Sequence, residues 1–208
     1  MSAIDKLTEY FRDLPGVGPR QARRFVYSLL TKNPAYLSEF SSLVLNIKNE
    51  VSICETCFRF FNNTKSSNCA ICNSRSRDIS SLLVVEKDVD AESIEKSGAY
   101  SGNYFILGGI IPILDKEPEK KVRLLELKDR VNKLSLQGLK EIILAFSVNA
   151  EGEYTNHFLE QFLSPMIKNK NIKITIPGRG LSTGSELEYA DSDTLREAIK
   201  NRFAENFN

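Results

Sequence analysis

Four cysteines within nineteen residues constrain this chain more than anything else in it. The run CETCFRFFNNTKSSNCAIC sets Cys54, Cys57, Cys69 and Cys72 as two C-x-x-C knuckles separated by eleven residues. Each knuckle lets one tight turn aim two thiolates at a point, and two knuckles complete a tetrahedral shell of four sulfurs around zinc. Four thiolates leave no coordination position for water, so one structural Zn2+ per chain is expected rather than a catalytic one. A thioredoxin-like redox pair needs only one knuckle, and free core cysteines need no spacing at all; the second knuckle counts against both. So short an insert has little core of its own, and metal binding has to supply its folding free energy.

All four cysteines sit in that one cluster, and a reducing compartment disfavours two disulfides there. The opening MSAIDKLTEYFRD carries charges every few residues and no apolar run long enough for a signal peptide or membrane span. A cytoplasmic protein with no membrane association is expected. With 208 residues, 41% hydrophobic and 26% charged, the chain has material for one medium domain and one or two small ones. Its net charge of +1 hides an asymmetry: residues 1–78 carry 11 Lys/Arg against 7 Asp/Glu, and the remainder 17 against 20. The basic part points toward an anion.

Helix signals dominate the first fifty residues. Ile4, Leu7, Tyr10 and Phe11 form one apolar face, LPGVGP breaks it, and Ala22, Phe25, Val26, Leu29 and Leu30 recur at spacings of three and four. A third helix follows Asn33-Pro34 and ends near Asn49. Beyond the cysteines, strands over 81–85, 103–107, 141–146 and 172–176 alternate with helices over 91–96, 121–134 and 153–168, before a last helix over 191–202. That alternation implies a parallel sheet with crossover helices.

Two places carry further chemistry. In LPGVGPRQARRF, Gly16 and Gly18 let backbone N–H groups approach a phosphate, the next helix offers its positive end, and Arg20, Arg23 and Arg24 add mobile charge. A plain turn with a solvated arginine face is the simpler alternative. Three arginines with no acid from position 14 to 38 favour a grip on DNA backbone that reads no bases. Arg59, Lys65, Arg75 and Arg77 around the cysteines are compatible with a second, weaker contact. The other place is acidic. LLVVEKDVDAESI ends a buried strand on Glu86, at the edge where open α/β sheets bind ligands, and ILAFSVNAEGE ends another. Metal-assisted phosphoryl chemistry needs several carboxylates there. Ser147 and Asn149 directly follow the second strand and are neutral, while Glu151 and Glu153 come later, where acids also simply suit a helix start. No G-x-x-x-x-G-K-[ST] loop exists to cradle a triphosphate.

Taken in order, LPGVGPRQARRF, the four-cysteine motif, YFILGG followed by PILD, AEGEYT before a helix and the closing GRGLSTGSELEYAD resemble the RecR family of bacterial recombination mediators over essentially the whole chain. The resemblance implies an α/β protein in four parts: a helix-hairpin-helix DNA-binding region over 1–52, a C4 zinc finger over 53–78, a Toprim domain with a parallel sheet flanked by helices over 79–177, and a C-terminal oligomerisation segment over 178–208. It implies a clamp-like, non-enzymatic DNA repair factor. Such a factor acts with RecO, and in some settings RecF, to load RecA onto single-stranded DNA coated by the single-strand binding protein. Ring-like homo-oligomers, tetramer or dimer, that take single- or double-stranded DNA without sequence preference are implied too. The family's DNA-contacting basic residues fall on Arg20 and Arg24, and its zinc ligands on all four cysteines.

Catalytic Toprim enzymes have a glutamate after the first strand, matched by Glu86, and an Asp-x-Asp pair where this chain has Ser147 and Asn149. No catalytic residues and no enzymatic activity are therefore expected, and the acidic surface of Glu86, Glu151 and Glu153 becomes a candidate RecO contact. The competing readings are a metal-dependent Toprim nuclease or primase and a zinc-stabilised binding module with another partner. Lone His157 has no nearby ligand partner and is expected to pack or face solvent. Lys170, Lys173 and Arg179 are expected to serve solubility rather than line a pore.

Overall fold

The last expectation about secondary structure, alternating strands and helices after the cysteines, is met by four parallel strands. A computed structural model describes residues 1–62, 65–113 and 117–202, so Leu114 and Asp115 of the PILD stretch and the end of the 178–208 segment lie outside the described residues. Two compact units divide between Ser52 and Ile53.

The first unit is helical: α1 (Ala3–Arg12), α2 (Pro19–Leu30) and α3 (Pro34–Glu50). Ser2 caps α1 reciprocally with Asp5, and Asn33 caps α3 by accepting the Tyr36 N–H. Ala22 and Val26 of α2 are fully buried. α3 buries nothing: Tyr36, Leu37, Phe40, Leu43, Val44, Leu45 and Ile47 all stay exposed.

β1 (Val51–Ile53), which runs across the boundary between Ser52 and Ile53, pairs with β2 (Phe60–Asn62) around the first knuckle; the four-residue α4 (Ala70–Asn73) holds the second. These elements are too short to carry a periodicity in the sequence. The main sheet contains β3 (Asp78–Val85), β4 (Gly102–Ile106), β5 (Glu141–Ala145) and β6 (Lys173–Thr175), all parallel, in the order β4-β3-β5-β6. Leu82, Leu83, Val84 and Val85 of β3 are all buried, as a strand covered on both faces requires. Leu82 and Val84 meet α6 (Leu124–Ser135) and α7 (Ala150–Ile167); Leu83 and Val85 meet α5 (Asp88–Ser97). α6 buries Leu124, Leu127, Val131 and Leu134, and α7 buries Thr155, Leu159, Leu163 and Ile167, both at helical spacing. After β6 comes α8 (Ser192–Lys200), capped by Asp191.

Several boundaries differ from expectation for local reasons. α5 starts at Asp88 because the Asp90 carboxylate accepts the Lys87 N–H. α6 starts at Leu124 rather than 121, since a 3-10 turn over Pro118–Lys120 intervenes and the Arg123 N–H is taken by the Leu107 carbonyl. α7 starts at Ala150 rather than 153, because Asn149 is its cap. No helix among the described residues is long and apolar enough to cross a membrane.

Candidate functional site

The two knuckles bring Cys54, Cys57, Cys69 and Cys72 together with all four sulfurs within 4.8 Å of one another. In the first, the Phe58 N–H donates to the Cys54 carbonyl at 2.9 Å, and Phe58 takes a left-handed backbone (φ 63°) to turn the chain back. The Cys69 N–H donates to the Cys54 sulfur at 3.3 Å, a contact that favours thiolate. Thiols this crowded redistribute their protons. Cys54 is held far below the ordinary thiol range by hydrogen bonds from Cys57, Cys69 and Cys72. Cys57 and Cys72 are raised, first by their bonds to Cys54. Cys69 is lowered to about 6: contact with Cys54 raises it, and the Cys57 and Cys72 thiols more than offset that. Ionising all four sulfurs together would need a cation among them, and four cysteines so placed suit a soft tetrahedral metal ion.

This cage is fixed to the main sheet. The Cys57 carbonyl accepts the Ile106 N–H at 2.8 Å, Phe58 packs edge-on against Phe105 with centroids 5.4 Å apart, and Arg123 lies 5.2 Å over the Phe58 ring. The Phe60 N–H donates to Asp88 at 2.7 Å. Arg77, offered by the sequence as part of a basic surface, is occupied internally. Its guanidinium makes two 2.9 Å bonds to Glu95, donates through Nε to the Gly102 carbonyl and covers Tyr104. Lys65 and Arg75 remain exposed.

In the helical unit, Phe11 and Phe25 meet edge to face at 5.6 Å and close α1 on α2. Between them the Val17 N–H bonds to the Leu14 carbonyl, and Gly16 sits at φ 75°, where a side chain would be strained. Gly18 is the N-cap of α2 and Pro19 its first residue, so α2 begins with no side-chain cap and no acid in its first turn. α1, α3, α7 and α8 each begin with a capping side chain. The positive end of α2 is thus left to solvent, with Arg20, Arg23 and Arg24 exposed beside it. Arg23 helps Ser2, the main cause, hold the Asp5 carboxyl below its usual range. Among the described residues, Arg20 and Arg24 make no ion pair.

The acids gather at the C-terminal edge of the sheet, where the neighbouring strands β3 and β5 end. Glu86 follows β3, its side chain 12% exposed and paired with Lys87 at 2.7 Å. Past β5, the Asn149 side chain accepts the Gly152 N–H at 2.8 Å, so this residue, and not Glu151 or Glu153, caps α7. Gly152 lies so close to Ser147 that a Cβ would land on the Ser147 carbonyl oxygen. Glu151 and Glu153 occupy the first turn, and Glu153 pairs with Arg179 at 2.8 Å. Among the described residues, the four cysteines are the group placed to hold a metal ion, and at this edge Glu86 is already paired with a lysine. Sequence reasoning passed over Thr155, buried on α7, which donates to the Glu151 carbonyl and accepts the Ile111 N–H at 3.0 Å. Its place on the buried stripe with Leu159 and Leu163 was the available signal. His157 is exposed and bonds Gln161.

Three family descriptions match these parts of the chain: the RecR helix-hairpin-helix over residues 4–45, the Toprim domain over 80–176 and the RecR C-terminal region over 180–202. Full-length similarity agrees. The recombination protein RecR of Chloroflexus aurantiacus is 38% identical over 199 residues, covering 96% of this chain and 93% of that protein. The RecR proteins of Bacteroides thetaiotaomicron and Legionella pneumophila are each 35% identical, covering 96% and 97% of this chain and 92% and 96% of theirs. With a helical hairpin, a four-cysteine cage and a parallel Toprim sheet in the family's order, the chain belongs to the RecR family of recombination proteins.

Proposed function

We propose that this protein is a cytoplasmic, DNA-binding recombination mediator, a clamp without catalytic activity. It acts with RecO, and in some settings RecF, to load RecA onto single-stranded DNA coated by the single-strand binding protein. The observation that carries this reading is the start of α2: an uncapped helix N-terminus behind Gly16 and Gly18, with Arg20 and Arg24 exposed and unpaired among the described residues. That arrangement suits phosphates of either single- or double-stranded DNA and has nothing with which to read bases.

The other assignments follow from the same membership. Cys54, Cys57, Cys69 and Cys72 hold one structural Zn2+, which supplies a cross-link between two knuckles and no chemistry. The parts divide as 1–52, 53–78, 79–177 and 178–208. Homo-oligomerisation, to a dimer or tetramer, is supported by the apolar residues that α3 leaves exposed. Absence of catalysis is supported at Glu86, already paired with Lys87, and at Ser147 and Asn149, which bring no charge. Glu86, Glu151 and Glu153 then serve as an acidic surface for RecO.

The test is DNA affinity across a salt series for Arg20→Ala plus Arg24→Ala. Loss of two phosphate contacts lowers the slope of log affinity against log salt by about two. An unchanged slope would reduce the hairpin to a turn.

A further inference from the structure

We propose a second DNA-backbone site, separate from the hairpin, in a lysine-lined cleft at the N-terminal edge of the Toprim sheet. This rests on the DNA-binding reading above and extends it to a surface that reading does not use.

The cleft is a shallow, open one of about 1190 Å³ between the loop from α6 to β5 and the loop from α7 to β6. Lys140, Lys168, Lys170 and Lys173 line it, with Ser135 and Asn171 between them and no acid among the lining residues. The two loops are fixed to each other: the Lys173 N–H donates to the Lys140 carbonyl at 2.9 Å, and the Lys170 ammonium reaches the Ser135 hydroxyl at 3.0 Å. Asn171 turns the second loop through a left-handed conformation (φ 51°), so that Lys168 and Lys170 come before the turn and Lys173 after it. Two acids lie beside the cleft, and one of them takes up a cleft lysine. Glu141 pairs with Lys173 and accepts the Thr175 hydroxyl; the Asp78 carboxylate takes the Ser80 N–H, with Lys140 a minor influence on it. Lys168 makes no ion pair among the described residues.

Topology makes this concentration of charge. In a parallel sheet every strand starts at one edge, so Lys140 and Lys173 lie where β5 and β6 begin, in company with Asp78 and Glu141, the first residues of β3 and β5. The four lysines of the cleft outnumber those two acids, and such a local excess of positive charge draws a polyanion. The lysines are mobile point charges without an arginine fork, suited to neutralising a run of phosphates rather than fixing one ligand. No aromatic residue lines the cleft, so bases have nothing to stack on, and the backbone is held whether the DNA is single or double.

The experiment uses the full-length protein and a labelled DNA duplex, with affinity measured across a salt series. Lys168→Gln plus Lys170→Gln is compared with Lys168→Arg plus Lys170→Arg, with the hairpin double variant, and with Lys96→Gln plus Lys128→Gln as an equal loss of charge on exposed helix positions. The expected result is a salt slope lowered by about two and an affinity lowered about tenfold at low salt for the glutamine pair, with the arginine pair and the Lys96/Lys128 pair unchanged. A glutamine pair that matches wild type while the hairpin variant loses slope overturns this site and leaves the hairpin reading standing. Loss of slope in neither variant sinks both. A glutamine pair that keeps its DNA slope but loses an acidic protein partner also overturns the proposal, by giving the cleft to that partner.

Discussion

Thr155 shows how a single hydroxyl joins two parts of the Toprim unit. It is fully buried, donates to the Glu151 carbonyl one turn back and accepts the N–H of Ile111, itself fully buried on the segment after β4. Replacing it with valine keeps the shape and leaves the Ile111 N–H without a partner. Thr155→Val is expected to cost about 1–3 kcal/mol of unfolding free energy in a urea titration, while Thr155→Ser loses less because the acceptor remains. Equal stability for Val and wild type would mean the Ile111 amide has found another acceptor. Residue-level roles like this are poorly legible in sequence. Thr155 could be placed on the buried stripe of α7, but its acceptor duty depends on a residue 44 positions away. Arg77 is similar: nothing in its local sequence discloses that Glu95 claims it. Asn149 was noticed for the charge it lacks, and its work as the cap of α7 appears only in the structure.

At the scale of elements, the cysteine cage is an extension of the sheet as much as a module of its own. Cys57 hands its carbonyl to β4, and Phe58 is wedged between Phe105 and Arg123. Purified under reducing conditions, the protein is expected to carry one zinc per chain. Chelation should then release amide protection over 53–73 first, and next at Ile106, measured by hydrogen exchange. Acidification should do the same, because metal binding requires thiolates and protons compete for them. Zinc-free protein with full protection at Ile106 would show that the cage needs no ion. The knuckles were legible because their spacing is the chemistry, and α6 and α7 because their buried residues recur every three or four positions. β1 and β2 were not, since three-residue strands exist only by virtue of the knuckle between them. The lysine cleft was hidden for a different reason: Lys140 lies far in sequence from Lys168, Lys170 and Lys173, and only the pairing of β5 with β6 brings the two loops together.

For the molecule as a whole, the central claim is a DNA-binding clamp assembled from several copies of this chain. α3 is the element that most demands a partner, with Leu37, Phe40 and Val44 exposed at successive helical turns. Phe40→Glu plus Val44→Glu is expected to lower the assembled mass without unfolding the Toprim unit, since neither residue is buried. The most direct measurement is solution mass, by sedimentation or light scattering, of the wild-type protein alone and with DNA. A dimer or tetramer that binds DNA as an assembly is the predicted result. A stable monomer of 23.5 kDa whose mass does not respond to DNA would contradict the account.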